Sequence, residues 1–213
     1  MGRSVLEISV SLDGFVAGPN PSPELPLGEG GELLHDWVVG LAAWRERHGL
    51  AGGEESADSE LVAESLARTG AVVMGRRMFS GGDGPWEDDP NADGWWGDDP
   101  PFRAPVFVVT HHAREPLVME GGTTFTFVTD GVESAVEAAR AAAGEKDVSI
   151  AGGASVAQQV LGAGLLDEML IHLVPVLLGS GTRLFDGGTL ARLERRQVLD
   201  STGATHIRYD VLE

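Results

Sequence analysis

Hydrophobic and polar positions follow two periods along this chain, one typical of strands and one typical of helices. The first apolar run, Val5–Val10, predicts a strand, which ends at the turn signal Asp13-Gly14. Between Leu33 and Trp44, apolar residues recur three or four positions apart, which predicts an amphipathic helix. The chain therefore begins as a strand, a loop and a helix.

The same alternation continues to the C-terminus. A second helix, capped by Ser56 or Asp58, precedes the continuous apolar run Ala71–Met74, which is typical of a strand buried on both faces. Further elements are expected as strands at 106–110, 124–128, 148–151 and 169–174, helices at 134–143 and 155–161, and a hairpin at 193–200 and 205–212. This order predicts one α/β domain over 1–213, with a mixed, mostly parallel sheet and a C-terminal antiparallel hairpin.

Composition and charge exclude several classes of function. Thirty-three acidic residues against fifteen basic ones give a net charge of −18, which argues against a nucleic-acid partner. No apolar run approaches the roughly 18 residues of a membrane helix, and the N-terminus lacks a signal-peptide pattern, so we expect a cytoplasmic protein with no membrane partner. The absence of Cys excludes disulfides, thiolate zinc sites and a cysteine nucleophile.

The segment 81–101 is an acidic loop that contains three tryptophans. Two interpretations stay open at this stage. The tryptophans fold back onto the body of the protein, or the segment acts as a lid or partner contact, as long loops without secondary structure often do.

Three of the predicted strands end in groups that favour anions. Gly152-Gly153 separates a strand from a helix, and there the backbone can approach a ligand closely at the positive end of the helix dipole. Gly75 is followed by Arg76 and Arg77, whose guanidiniums suit a phosphate or, alternatively, neutralise the acidic loop. The third strand ends in a hydroxyl and two adjacent imidazoles, at 110–112, which make a poor metal site, so we expect no metal. Ligands of open α/β sheets bind beyond such strand ends.

Several segments, in this order and spacing, resemble the dihydrofolate reductase superfamily, in the branch that contains the reductase domain of bacterial riboflavin biosynthesis. The matching segments are Ser11–Gly18, Val73–Phe79, Val108–Thr110, Ile150–Val156 and Leu166–Phe185. The resemblance implies a dihydrofolate-reductase-like three-layer αβα fold.

The resemblance also implies NADPH as the cofactor. By analogy, Gly75, Arg76 and Arg77 would hold cofactor phosphates, and Thr110 and His111 would lie near the 2′-phosphate. The nicotinamide would be covered by Val16 and Ala17, and the pyrophosphate would be cradled by Gly152, Gly153, Ala154, Ser155 and Val156.

The implied function is reduction of a pteridine- or pyrimidine-like heterocycle by hydride transfer, either a ribosylaminopyrimidine precursor of riboflavin or a dihydrofolate. The alternative is a non-catalytic nucleotide-binding or regulatory protein on the same fold. The resemblance further implies a homodimer, with the apolar run Leu173–Leu178 as a plausible contact.

Reductases of this family carry a carboxylate on the first helix that promotes protonation of the substrate, and Asp36 is the nearest match. Helical spacing predicts that Asp36 lies at the border of the apolar stripe, where partial burial would favour a general acid. Glu32 and His35 are alternatives if the alignment shifts. Asp13 is a further candidate, although Asp-Gly is also a common turn pair.

Overall fold

The structure is a computed structural model that describes residues 2–22 and 24–212. Its strands are β1 (Ser4–Ser11), β2 (Phe15–Ala17), β3 (Thr69–Gly75), β4 (Pro105–Val109), β5 (Leu117–Val118), β6 (Thr124–Val128), β7 (Asp147–Gly152), β8 (Glu168–Val174), β9 (Thr182–Arg183), β10 (Arg192–Asp200) and β11 (Thr205–Leu212). Its helices are α1 (Ala42–Arg47), α2 (Ala57–Arg68), α3 (Arg76–Ser80), α4 (Val132–Ala143) and α5 (Ala154–Gly162), with short 3-10 turns at Gly31–Leu34, Trp86–Asp88 and Glu120–Gly122.

A mixed sheet forms the centre of the fold. Its strand order is β10-β11-β8-β1-β7-β3-β4-β6-β5. The pairs from β8 through β6 are parallel, while β11 joins β8, and β10 joins β11, in antiparallel fashion. This arrangement confirms the predicted α/β fold, its mostly parallel sheet and its C-terminal antiparallel pair.

The two faces of the sheet differ in polarity where β1, β8 and β11 meet. Residues paired across neighbouring strands point to the same face. One row contains Ile8, Ile171 and Ile207, and the adjacent row, which points to the opposite face, contains Ser9, His172 and His206. One face is therefore apolar, and the other carries buried polar side chains.

Helices cover both faces. On the apolar face, α4 and α5 pack against β3, β4 and β7, in a core that contains Val73, Ala139, Ile150 and Val160. On the polar face, α2 begins where the sequence predicts, because the Ser56 hydroxyl accepts a hydrogen bond from the N–H of Ser59 at 3.3 Å. Within the described residues, no helix is both long and apolar enough to cross a membrane.

The prediction of one continuous helix between Leu33 and Trp44 is wrong. The chain instead forms the 3-10 turn Gly31–Leu34, a series of turns and then α1. The helix is interrupted because Leu41 adopts an extended conformation and forms a β-bridge with Glu54. The backbone N–H of Glu54 donates to the carbonyl of Gly40 at 2.9 Å. The apolar spacing still predicts the burial of Leu34, Val38 and Leu41, whereas Leu33 is 42% exposed.

Candidate active site

Three of the predicted strand ends meet at one edge of the sheet. Because β7, β3 and β4 are parallel neighbours, Met74 lies opposite Gly152, and Gly75 lies opposite Val109, the residue before Thr110. The approach is close: a Cβ on Gly75 would lie 3.1 Å from Cγ2 of Val156. The structure thus brings together the segments in which the sequence predicts cofactor contacts.

The turn after β7 is open to a ligand. Gly152 has a φ of 119°, which favours glycine, and a cis peptide bond joins it to Gly153. No atom of the described part of the chain lies within 4 Å of the position that a Cβ on Gly153 would take. In the same part of the chain, no side chain caps the N-terminus of α5, which begins at Ala154. Its first N–H groups are therefore free of side-chain acceptors.

The two arginines after Gly75 pair with the acidic loop rather than facing this turn. Arg76 is buried, with its guanidinium 2.5 Å from the carboxylate of Asp89 and 3.6 Å from the centre of the Trp86 ring. Arg77 is 77% exposed and pairs through Nε with Asp83 at 3.0 Å. Both arginines thus pair with acids of the loop, as one of the two interpretations expects, and their role in binding cofactor phosphates stays a prediction.

The tryptophans of the acidic loop fold back onto the body of the protein, as one of the two interpretations expects. Trp86 packs edge-on against Phe127 and donates from Nε1 to the carbonyl of His112 at 2.9 Å. Trp96 packs edge-on against Phe102. Aromatic packing and ion pairs thus fix the loop beside the strand ends.

Thr110, His111, Val16 and Ala17 lie on different elements. Thr110 is buried and accepts a hydrogen bond from the N–H of His112 at 3.1 Å, whereas the side chain of His111 is exposed. Val16 and Ala17 belong to β2, a short strand that pairs with β9. These positions leave the predicted roles untested.

A cavity of about 310 Å³ lies on the polar face of the sheet, between the strands and the segment 35–48. Trp37, Trp44 and Phe102 provide aromatic walls, and the lining includes Ala151, which directly precedes Gly152. The cavity is therefore adjacent to the turn after β7.

Two buried polar atoms at this cavity lack hydrogen-bond partners within the described residues, namely Nδ1 of His35 and Nε of Arg47. Burial lowers the pKa of His35, and burial together with the nearby Arg103 lowers the pKa of Arg47. Buried polar atoms are almost always paired, so these two favour a bound ligand or water as partner.

Polar groups that the sequence did not single out also line the cavity. The carboxylate of Glu7 lies 3.3 Å from Nε2 of His172, whose Nδ1 lies 2.7 Å from Nδ1 of His206. Trp37 packs against both imidazoles and donates from Nε1 to the hydroxyl of Ser9 at 3.0 Å. The sequence does place a histidine at a polar position in each of two predicted strands. Sequence spacing does not reveal that these two histidines contact each other.

The sequence matches the RibD C-terminal domain family over residues 4–207, nearly the whole chain. The chain belongs to this family. Membership indicates a reductase of the riboflavin-biosynthesis type.

Similar proteins agree with this family. The uncharacterized protein YyaP of Bacillus subtilis (strain 168) is 26% identical over 194 residues, which cover 86% of this chain and 80% of YyaP. A putative riboflavin biosynthesis protein from Shewanella sp. PV-4 superimposes with a TM-score of 0.64 at 21% identity, over 99% of both chains. Acinetobacter baumannii RibD superimposes with a TM-score of 0.58 at 18% identity, over all of this chain and 59% of that one. At such identities, the two solved structures support the shared fold.

In this RibD C-terminal family chain, Asp36 does not lie where the sequence predicts. It sits in a turn instead of a helix, is exposed, and lies outside the cavity lining, although its neighbours His35 and Trp37 belong to it. The physical reason is that turns replace the expected helix over residues 35–40, so helical spacing does not apply there. The half-buried position expected for Asp36 is therefore wrong, and its catalytic role stays a prediction. Of the two alternatives, Glu32 is exposed, and only His35 reaches the cavity.

Asp13 serves as a turn residue in this structure. Its carboxylate accepts hydrogen bonds from the Ser11 hydroxyl at 2.6 Å and from the N–H groups of Leu178 at 3.2 Å and Gly179 at 2.7 Å. The bond from Ser11, followed by those backbone bonds, lowers the pKa of Asp13. A carboxyl with a lowered pKa is ionised at neutral pH and is a poor general acid.

The Asp89 contacts predict a pH-dependent anchor for the acidic loop. Burial alone would raise the pKa of Asp89, but hydrogen bonds from Ser80, the N–H of Asn91 and Arg76 lower it overall. Because the folded state binds the proton less tightly, this stabilisation is present above the unfolded pKa of about 3.9 and is lost as the pH falls through the lower folded value. We expect Asp89→Asn to lower the free energy of unfolding by about 2 kcal/mol at neutral pH, measured by urea denaturation.

The difference between wild type and Asp89→Asn should shrink as the pH falls from the unfolded pKa of about 3.9 through the lower folded value, because the unfolded chain takes up the proton first. Asp88→Asn is the matched control, because Asp88 is the exposed neighbour on the same turn. Equal losses in the two variants would contradict the anchor.

Proposed function

We propose that this chain is an NADPH-dependent reductase that transfers a hydride to a pteridine- or pyrimidine-like heterocycle, such as a ribosylaminopyrimidine precursor of riboflavin. The observation that carries the proposal is the contact between two sites. The cavity with unpaired polar atoms is lined by Ala151, which directly precedes the open turn at Gly152-Gly153, where the family resemblance implies the cofactor. A cofactor in the turn would thus have a neighbouring chamber for its substrate.

The residues at the turn fit a dinucleotide pyrophosphate. The space beside Gly153 is open, and the uncapped start of α5 offers N–H groups at Ala154 and Ser155. When bound, NADPH supplies the hydride. The protein contributes a close approach between the start of α5 and the end of β3, because a Cβ on Gly75 would lie 3.1 Å from Cγ2 of Val156.

The cavity fits an aromatic substrate with polar edges. A volume of about 310 Å³ is at the small end of the range for ligand pockets, roughly 300–1,000 Å³. Aromatic walls suit stacking on a flat heterocycle, and Glu7 and Ser9 on the sheet offer acceptors to ring N–H groups. Arg47 supplies a cation for an anionic substituent of the substrate.

The open space beside Gly153 gives a test of the cofactor site. Gly153→Ala places a methyl group where the pyrophosphate would approach, so we expect NADPH affinity to fall about tenfold or more while the melting temperature stays near that of the wild type. Fluorescence titration with NADPH and thermal unfolding measure the two quantities. Gly162→Ala is the control, because it lies at the other end of α5 and a Cβ there meets only Thr189 at 3.5 Å. Unchanged NADPH affinity in Gly153→Ala would rule out this turn as the cofactor site.

The second test concerns the preference for NADPH over NADH, which we propose arises from Arg77 and His111. Arg77 is 77% exposed and contacts the 63% exposed Asp83, so its guanidinium is free to turn to a 2′-phosphate. We expect Arg77→Ala to weaken NADPH about tenfold with NADH unchanged, since a hydrogen bond to a charged group contributes about 1.5–3 kcal/mol. Asp83→Asn should act in the opposite direction, because it releases Arg77. A loss equal for NADPH and NADH would remove Arg77 from this role.

We also propose a homodimer. The run Leu173–Leu178 is a poor candidate for the dimer contact. Among the described residues of this run, Leu177 is the one large hydrophobic residue that is exposed, at 71%. The better surface is the apolar row that continues from Ile207 to Val198 on β10, a strand at the sheet edge. Val198 and Leu193 are 48% and 42% exposed there, and no helix of the described chain makes repeated contacts with β10. A second copy would bury this face.

Light scattering at micromolar concentration should give about twice 22.4 kDa for the wild type. Val198→Lys places a charge in the proposed contact and should shift the mass toward the monomer without loss of folding. Val118→Lys is the control substitution, because Val118 is 82% exposed at the opposite edge of the sheet. A monomeric wild type would refute the dimer.

A further inference from the structure

Glu7 is a carboxylate in the wall of the cavity that pairs with no arginine or lysine of the described residues. Its side chain is 25% exposed, and its one contact at ion-pair distance within that part of the chain is Nε2 of His172, which lies 3.3 Å from Oε1. The two arginines that line a small hollow beside it, Arg68 and Arg208, both pair with Glu168 instead. The negative charge of Glu7 is therefore left uncompensated, provided that His172 is neutral.

The contacts of His172 and His206 fit two neutral imidazoles. Their Nδ1 atoms are 2.7 Å apart, which requires one of the two to carry a proton and the other to accept it. Burial, and then the nearby His172, lower the pKa of His206, so a charge on His206 is disfavoured. Nε2 of His206 lies 3.2 Å from Oδ1 of Asp58, yet neither atom has a well-directed hydrogen bond within the described residues. Such a contact is expected of a ring nitrogen that carries no proton.

One assignment of the two protons accounts for all of these contacts. With its proton on Nδ1, His206 donates to Nδ1 of His172 and leaves its own Nε2 bare toward Asp58. His172 then carries its proton on Nε2 and donates it to Oε1 of Glu7. The reverse assignment would set a bare Nε2 of His172 against the carboxylate, lone pair against lone pair. The hydrogen bonds therefore run from His206 through His172 to Glu7, and the two protons of the neutral rings are sufficient for them.

This direction positions the Glu7 carboxylate and leaves most of its acceptor capacity free. The side chain of His172 is 4% exposed, and its ring lies 4.5 Å, centre to centre, from the ring of Trp37, so the donor is held by packing. His172 donates to Oε1 of Glu7, whereas Oε2 accepts no hydrogen bond from the described residues. A carboxylate has about four lone-pair sites, so both oxygens can still accept hydrogen bonds from a ligand.

Glu7 also lies close to the turn after β7. Val5 pairs with Ser149 across β1 and β7. Glu7 and Ala151 each lie two residues further along their strands and therefore point to the same face of the sheet. Ala151 lines the cavity too, and it directly precedes Gly152. A heterocycle bound to Glu7 would thus lie next to the turn.

We propose that Glu7 selects the substrate by binding a heterocycle edge with two adjacent donors, an exocyclic amino group beside a ring N–H, and that His172 and His206 are positioning residues for its carboxylate. This inference rests on the proposed function. Two parallel N–H groups match the two oxygens of a carboxylate in a charge-assisted pair. An oxo group in place of the amino group turns a lone pair toward Glu7, which is repulsive. The cavity therefore favours amino-substituted over oxo-substituted rings.

Pterin and lumazine form a matched pair of probes, because they share one bicyclic ring system and differ by an amino group against an oxo group. In fluorescence titrations, we expect the wild type to bind pterin about tenfold more tightly than lumazine, or better. Glu7→Gln should bring this ratio close to one, since a neutral amide both donates and accepts. Glu137→Gln, which changes an exposed acid on α4, is the control and should keep the wild-type ratio.

The outcomes separate this inference from the proposed function. A wild type that binds both rings equally, or a Glu7→Gln variant that keeps the preference for pterin, overturns the selection by Glu7 alone. A wild type that binds neither ring overturns the cavity as a heterocycle site, and the proposed function with it. The wild-type ratio needs no variant, so it tests the proposal even if Glu7→Gln does not fold.

The positioning role is tested on the chain without any ligand. Long-range ¹H–¹⁵N correlation spectra of the histidine-labelled protein report which ring nitrogens carry protons. Near neutral pH, we expect one proton on each ring, on Nδ1 of His206 and on Nε2 of His172. A proton on Nδ1 of His172 would leave a bare nitrogen toward Glu7 and overturn the positioning role, and so would a second proton on either ring.

Discussion

The pairing of β1 with two parallel neighbours is the constraint on which the rest of the site depends. Because β7 and β8 both run parallel to β1, the turn at Gly152-Gly153 leaves the sheet on one side of β1, and His172 lies on the other. The register then fixes distances that no local sequence specifies. Ser9 sits opposite His172, and Glu7, one pleat earlier on the same face, reaches the same imidazole. The cavity is therefore bounded by β1, an interior strand of the sheet.

The net charge of −18 has a local consequence at the strand ends. With few cations in the chain, internal carboxylates compete with any ligand phosphate for each arginine. Arg76 forms a buried ion pair with Asp89. A ligand phosphate would have to break this pair, and leaving the Asp89 carboxylate buried without its partner is unfavourable. Arg77 is held by Asp83 in an exposed pair, which solvent screens and which contributes little. Two adjacent arginines of the same sequence motif thus differ in availability because of burial alone.

The sequence predicts the secondary-structure elements whose hydrophobic period is regular. It fails where tertiary contacts override that period. The strands of the parallel sheet, α2, α4, α5 and the C-terminal hairpin follow from periodicity and end signals. The segment after Leu33 has equally good helical spacing, yet the bridge between Leu41 and Glu54 draws the chain out of a helix. This contact joins two loops, and no local rule foresees it. Asp36 lies in the same segment, so the wrong prediction of a helix also gave a wrong position for Asp36 in the candidate site.

Two buried polar residues of the site were not recognisable from the sequence. His172 and His206 occupy positions in strands where alternation predicts polar side chains, which is typical of solvent-facing residues. They are buried because α2 and the turns with Trp37 cover that face, and a polar face under cover must satisfy its hydrogen bonds internally. His172 and His206 meet this demand in part through each other, with their Nδ1 atoms 2.7 Å apart. On the opposite face of the same strands, the side chains of Ile171 and Ile207 have no hydrogen bonds to satisfy. The alternation of a strand, which places successive side chains on opposite faces, thereby gives one sheet a buried polar cluster on one side and an apolar row on the other.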